Sequence, residues 1–305
     1  MLIFHLTDND GRTFQMRRPV SVSISSSCSA PADSLRAVFA IEGEVPELHR
    51  IRVTDGDETV FTGCVDQQNE EYSRNGRFLT VSARSVAALL LDNEAAPQTY
   101  WCPSMKLLMK RHFEPLGFDR FIGPDKVFSG QLTVSKGMSE WAVLKRFASV
   151  FLNTEPRIDK NGIIDVSGTD GERELFLPSG SLISFRRELK NSALISEIRA
   201  RVRPERGYDM VFKSERAKRS HISRRRYIDI PGSNTGSVEG TKRMLSSCDA
   251  AYERIEAECA GRARCSVGDT LTTDLDSKQY RICEVNYTLD SRGERTIIYA
   301  EVKSK

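Results

Sequence analysis

The sequence predicts an α+β protein that is mainly β, with a β-rich segment at each end and a small helical α+β unit between them. Three observations predict it. Short stretches of alternating apolar and polar residues, separated by turn residues, fill the first ninety positions. Two stretches with apolar residues at three- and four-residue steps follow Pro97. From Leu182 the period returns to two. A chain of 305 residues exceeds one ordinary core, and these changes of character divide it at 1–95, 96–178 and 179–305.

In the first segment Val20, Val22 and Ile24 alternate with serines, and Ile51 and Val53 alternate with arginines. Asp55-Gly56-Asp57 is a turn, followed by a strand to Val65. Ser73-Arg74-Asn75-Gly76 is a hairpin turn, since Asn-Gly accepts positive φ cheaply, and Phe78–Ser82 is its return arm. Ser85–Leu91 predicts a short helix across one end. In the middle segment one helix starts near Pro103, with Met105, Leu108 and Met109 on one face. A second starts near Gly137, with Trp141, Leu144, Phe147 and Phe151, and Ser135 or Ser139 as its cap. Residues 156–166 predict a hairpin around Asn161-Gly162. The last segment predicts strands at Leu182–Leu189, Ile195–Val202, Tyr208–Lys213 and Tyr227–Ile230. A helix over 238–259 and a long hairpin, Tyr280–Leu289 returning as Thr296–Val302, complete it. The hairpins at 61–81 and 280–300 share a layout: a long first arm with a cysteine, a Ser-Arg turn ending in glycine, and an apolar return. Coincidence and two related β-domains both explain that likeness.

Composition excludes several classes. The longest apolar run, Val86–Leu91, is far short of the roughly 20 residues of a membrane span, so no stable membrane insertion is expected. The first residues, MLIFHLTDND, lack a secretory signal's basic start, so synthesis in the cytoplasm is expected. The seven cysteines are scattered, with no Cys-x-x-Cys pair and no histidine at ligand spacing, so reduced thiols and no metal are expected. No nucleophile elbow, P-loop, dinucleotide-binding or zinc-protease motif occurs, so neither a catalytic residue nor a cofactor is expected. Glu70-Glu71 and Asp55/Asp57 are acidic pairs of the kind glycoside cleavage uses, but both flank turns, where solvation alone accounts for them.

The strongest charge feature is segment 199–226. It holds eleven Lys and Arg against three acids, a local charge of +8 that leaves −5 for the rest of a chain whose total is +3. Arg199, Arg201 and Arg203 alternate with Ala200 and Val202 and so line one strand face. Arg224, Arg225 and Arg226 close the segment. Three readings stay open: a solvated strand and loop, a face paired with acidic groups of a neighbouring subunit, and nucleic-acid contact. The last lacks interleaved aromatics for base stacking, Tyr208 and Phe212 being the nearest. The loop 213–226 is also a candidate for ordering on a partner.

Several strings carry a resemblance. Phe61-Thr62-Gly63-Cys64-Val65-Asp66, Thr80-Val81-Ser82-Ala83-Arg84-Ser85 and Leu89-Leu90-Leu91-Asp92 resemble the tail baseplate hub proteins of bacteriophages, of the late-control gene D and PBSX-like prophage types. The Trp141 helix before Pro156-Arg157-Ile158-Asp159, then Leu182–Arg187, Gly207–Val211, Arg225-Arg226-Tyr227 and Val267-Gly268-Asp269-Thr270, extend it in the same order over about residues 1 to 302. The resemblance implies two tail-tube-like β-barrel domains flanking the α+β unit. It implies a structural virion component, a homotrimeric hub whose six barrels match the six-fold tail tube protein above while the three-fold spike protein docks below. Tube, spike and other baseplate proteins are then its partners, DNA only passes through the central channel, and the tail is expected to be contractile. Arg199, Arg201, Arg203, Arg224, Arg225 and Arg226 become candidate subunit or partner contacts, a +8 segment meeting a −5 remainder. The alternative is an envelope-glycan hydrolase or carbohydrate-binding tail component.

Overall fold

The computed structural model describes residues 1–168, 171, 173–202, 204–230 and 235–303. The first seven strands are β1 (Leu2–Asp8), β2 (Thr13–Met16), β3 (Ser21–Ser27), β4 (Ser34–Ala40), β5 (Leu48–Asp55), β6 (Glu58–Ser73) and β7 (Gly76–Ser85). They lie in the order β3-β4-β7-β6-β5-β1-β2, all antiparallel. Strict alternation decides which face turns inward: in β1, Leu2, Phe4 and Leu6 are buried and the residues between are not. The sheet curls around a core that includes Phe4, Phe39, Ile51, Phe61 and Leu79, with the Phe4 and Phe39 rings edge to face at 5.0 Å.

The helical middle contains α1 (Ala88–Asp92), β8 (Gln98–Trp101), α2 (Met105–Leu108), β9 (Phe121–Ile122), β10 (Gln131–Val134), α3 (Glu140–Phe147), β11 (Arg157–Ile158) and β12 (Ile164–Asp165). Ser104 and Ser139 cap α2 and α3, each hydroxyl accepting a backbone N–H at 3.2 Å. Met105, Leu108, Phe113, Leu144 and Phe147 fill a second core.

The remaining elements are β13 (Glu174–Leu177), β14 (Leu182–Leu189), β15 (Glu197–Arg201), β16 (Met210–Lys213), α4 (Glu215–Arg219), β17 (Arg225–Asp229), α5 (Thr235–Ala250), β18 (Glu253–Ala260), β19 (Thr270–Thr273), β20 (Tyr280–Asp290) and β21 (Gly293–Val302). The second barrel runs β14-β18-β21-β20-β19-β13 around Ile255, Tyr280, Ile282 and Ile298. β20 leaves β19 after Arg281 and pairs with β3 from Glu284 onward, so one sheet continues from barrel to barrel. The fold is thus mainly β, with two barrels flanking a small α+β unit.

Two details differ from the sequence reading. The helix expected over 238–259 ends at Ala250, and Glu253–Ala260 is a strand in which Ile255, Ala257 and Cys259 point inward. The arginine-rich strand joins neither barrel. β15, β16 and β17 form a separate three-stranded sheet, with α4 and α5, inserted between the neighbouring strands β14 and β18. The Lys190 N–H, bonded to the Tyr252 carbonyl at 2.7 Å, closes the base of the insert. The segment 213–226, a candidate for ordering on a partner, contains α4, capped by Ser214, whose hydroxyl also donates to Asp249 at 2.6 Å.

The resemblance strings meet in space. Arg84 on β7 forks onto Asp66 of β6 at 2.7 and 3.0 Å and onto Asp92 at the end of α1 at 2.7 and 3.1 Å. The Asp, the Arg and the final Asp of the three strings therefore clamp the short helix across the barrel end. Beside them, the Ser85 and Asp33 backbones are joined at 2.8 Å, and burial pushes the Asp33 carboxyl up to about 6. The folded state then holds a proton that the unfolded chain releases near pH 4. Stability therefore falls as pH rises from about 4 to 6. Asp33→Asn should gain roughly 1–2 kcal/mol above pH 7, after allowance for partial exposure, and nothing below pH 4. Denaturation midpoints at the two pH values check this.

Candidate subunit interface on the arginine-rich sheet

Pairing register determines what the six nominated arginines can do. β15 sits centrally, antiparallel to β16 and parallel to β17, with Glu197 opposite Lys213 and Arg225, Arg199 opposite Val211 and Tyr227, and Arg201 opposite Asp229. Ile198 and Ala200 are fully buried on the other face. The outer face therefore presents Glu197, Arg199, Arg201, Val211, Arg225, Tyr227 and Asp229 together.

This face is not the bare cationic surface that the alternation suggested. Arg199 donates to Glu197, and Arg225 reaches the same carboxylate at 3.1 Å. Arg201 grips Asp229 with two hydrogen bonds of 2.5 and 3.2 Å. The Arg199 bond first, with Arg225 adding to it, lowers the Glu197 carboxyl, and the Arg201 bond lowers that of Asp229. Arg201 also lies 4.6 Å over the Tyr208 ring, and Tyr208 meets Tyr227 edge to face at 4.9 Å. An aromatic pair thus sits among paired charges, with Tyr227 and Val211 54% and 45% exposed. Sequence reasoning missed Tyr227 as part of this patch, although its place in the Arg225-Arg226-Tyr227 string is a usable signal.

The other nominated residues separate from this face. Arg226 lies on the opposite side of β17, in register with Ile198. Arg224 turns back on its own chain, its guanidinium on the Asn191 and Leu194 carbonyls and its N–H on the Ser196 hydroxyl. Arg203 lies outside the described residues. Among the five that are described, Arg199, Arg201 and Arg225 share one face.

One member of each acidic pair is held in an ion pair of the fold. Glu70 bonds Arg77 across its hairpin at 2.5 Å. Asp55 takes the N-terminal ammonium at 2.7 Å and Arg262 at 3.0 Å. Glu58 takes the same Arg262 at 2.7 Å and Lys160 at 3.2 Å. That cluster joins both barrels and the middle unit. A Tyr-His-Glu chain does exist: the His112 ring nitrogens contact Tyr100 Oη at 2.8 Å and Glu140 Oε2 at 2.7 Å. His112 is 2% exposed inside the middle core, so the chain pins α3 to β8. Among the described residues no cluster of His, Cys, Asp or Glu is arranged to hold a metal ion, and no helix is long and apolar enough to cross a membrane.

Comparison with known proteins places this architecture. No family model matches the sequence, and no curated protein matches it. Solved structures do match in fold. A tail protein from Neisseria meningitidis superposes with a TM-score of 0.79 at 15% identity, covering 98% of this chain and 96% of that one. A tail protein of prophage MuSo2 from Shewanella oneidensis gives 0.75 at 16%, covering 98% of each. An Escherichia coli component of the type VI secretion system, described as structurally similar to the phage T4 tail proteins gp27 and gp5, gives 0.59 at 10%, covering 94% of this chain and 74% of that one. This chain has the fold shared by phage and prophage tail proteins and baseplate-like secretion components.

Proposed function

We propose that this chain is a structural baseplate hub of a phage tail or tail-like injection particle. In this reading three copies close a ring whose six barrels continue the six-fold tube, and the three-fold spike docks on the opposite side. The observation that carries it is the continuous sheet in which β20 of one barrel pairs with β3 of the other. That pairing fixes two similarly built barrels side by side in one chain, the arrangement a three-to-six-fold adaptor requires. The matching hairpins β6–β7 and β20–β21 support it, as does the likeness of one structural neighbour to T4 tail proteins. The three units run over 1–95, 96–178 and 179–305, with β13 contributing to the last barrel. The chain acts without catalysis or cofactor, is assembled in the bacterial cytoplasm, and resides in the baseplate of a contractile tail. Its channel passes the tape measure and then DNA.

The arginine-rich sheet is one of the subunit contacts in this reading. Its outer face alternates in sign and carries exposed Tyr227 and Val211, which suits a protein surface. Glu197 and Asp229 stand where nucleic-acid phosphates would have to approach, and like charge repels them. Light scattering should give a mass of three chains, with rings by negative-stain microscopy. Tyr227→Ala combined with Val211→Asp should reduce the mass to one chain while unfolding free energy changes by less than about 0.5 kcal/mol. A ring that survives both substitutions removes this face from the interface.

A further inference from the structure

Cys28 and Cys283 meet where the two barrels share their sheet. β20 and β3 pair from Leu289↔Val22 to Glu284↔Ser27. One step further, the Cys28 N–H donates to the Cys283 carbonyl at 2.8 Å, so the two cysteines are directly opposed. A bulge interrupts the pairing of β20 with β21 between Ile282 and Glu284. It breaks the alternation, so that Ile282 and Cys283 are both buried in succession. Ile282 fills the barrel core, while Cys283 is freed to face the seam. The Cys283 thiol donates to the Arg281 carbonyl at 3.4 Å. Cys28 is exposed, and Cys283 is 7% exposed.

We propose that Cys28 and Cys283 are a redox-active pair that closes to a disulfide, fixing β3 to β20 and hence barrel to barrel. Opposed residues sharing a backbone hydrogen bond in an antiparallel pair have Cα atoms about 5.5 Å apart, within the span a disulfide bridges. The roles of the two sulfurs follow from their surroundings. The neighbouring Cys283 side chain first, with Arg281 adding to it, lowers the Cys28 thiol despite partial burial. The proximity of Cys28, with burial, pushes the Cys283 thiol up. Cys28 is therefore the accessible attacking thiolate and Cys283 the resolving thiol.

With oxidised glutathione, the Cys28 thiolate attacks one sulfur and the first glutathione leaves as thiolate. The Cys283 thiol then loses its proton to solvent and attacks the Cys28 sulfur, and the second glutathione leaves. Two protein thiols are oxidised and one glutathione disulfide is reduced to two thiols. The other five cysteines are also free. The hub reading supplies only the occasion. A reducing cytoplasm keeps the pair open during assembly, and release into an oxidising medium closes it.

The test uses reduced full-length protein treated with oxidised glutathione, followed by non-reducing peptide mapping. The expected product is one intramolecular Cys28–Cys283 cross-link with no glutathione retained. A melting temperature raised by several degrees should fall back on reduction, because the bond closes a very long loop of the unfolded chain. Cys28→Ser should leave Cys283 unmodified, and Cys283→Ala should leave glutathione on Cys28. Glutathione persisting on Cys28 of the parent protein, Cys28 joining two chains, or Cys283 remaining reduced would each overturn the proposal. All of this is read on the isolated chain, so its failure leaves the hub reading intact. Conversely, absence of the chain from particles would leave this chemistry intact.

Discussion

Gly63→Ala should destabilise the protein by about 3 kcal/mol or leave it insoluble. Gly63 lies in β6, between β5 and β7. A Cβ there would stand 2.1 Å from the Arg84 carbonyl oxygen and 2.8 Å from a Phe61 ring carbon. Neither can give way cheaply. The carbonyl belongs to β7, whose Arg84 side chain is anchored to Asp66 and Asp92, and Phe61 is 2% exposed in the core. Opening the ladder by an ångström costs ladder hydrogen bonds at about 1 kcal/mol each, plus the packing they hold. The glycine of the Phe61–Asp66 string is thus required by strand approach, not by backbone angle. Chemical denaturation checks this, and a loss below about 0.5 kcal/mol would contradict it.

Arg262→Met should cost roughly 2–3 kcal/mol, below the full value for a buried pair because its partners are partly exposed. The Arg262 side chain is 9% exposed and bridges Asp55 and Glu58 of the first barrel from the second. The Met1 ammonium first and Arg262 second hold the Asp55 carboxyl low. Burial raises that of Glu58, but Arg262 and Lys160 together outweigh it, and the net shift is downward. Carboxyls lowered by folding contribute stability above their unfolded pKa values, near 4, and lose it as pH falls through the folded values. The variant's deficit should therefore be complete at pH 7 and shrink below pH 4. Arg262→Lys keeps the charge but not the fork, so it should recover part of the loss. A deficit that is constant with pH would assign the effect to lost packing instead.

Much of this fold was legible because its signals are local. Asn75-Gly76 and Arg292-Gly293 mark the two long hairpins, and Ser139 with the Trp141 to Phe151 stripe marks α3. β18 was hidden because its alternation of Ile255, Ala257 and Cys259 follows directly on α5, with no glycine or proline between Ala250 and Glu253. The interface was only half legible. Alternation showed that Arg199 and Arg201 share a face, but strand pairing brings Asp229 and Tyr227 alongside, and one sequence does not state register. It also does not state that Arg224 turns to its own carbonyls or that Arg262 finds Asp55. The Cys28–Cys283 contact is invisible for the same reason, since β20 and β3 come from opposite ends of the chain.

The hub reading stands or falls on where the chain resides and in how many copies. Particles purified from a host carrying this gene should be analysed by quantitative mass spectrometry against the tube protein, with antibody labelling in electron micrographs. Three copies per particle, all at the spike end of the tail, is the predicted result. Particles that lack the chain, or that carry it in many copies along the tube, would contradict it.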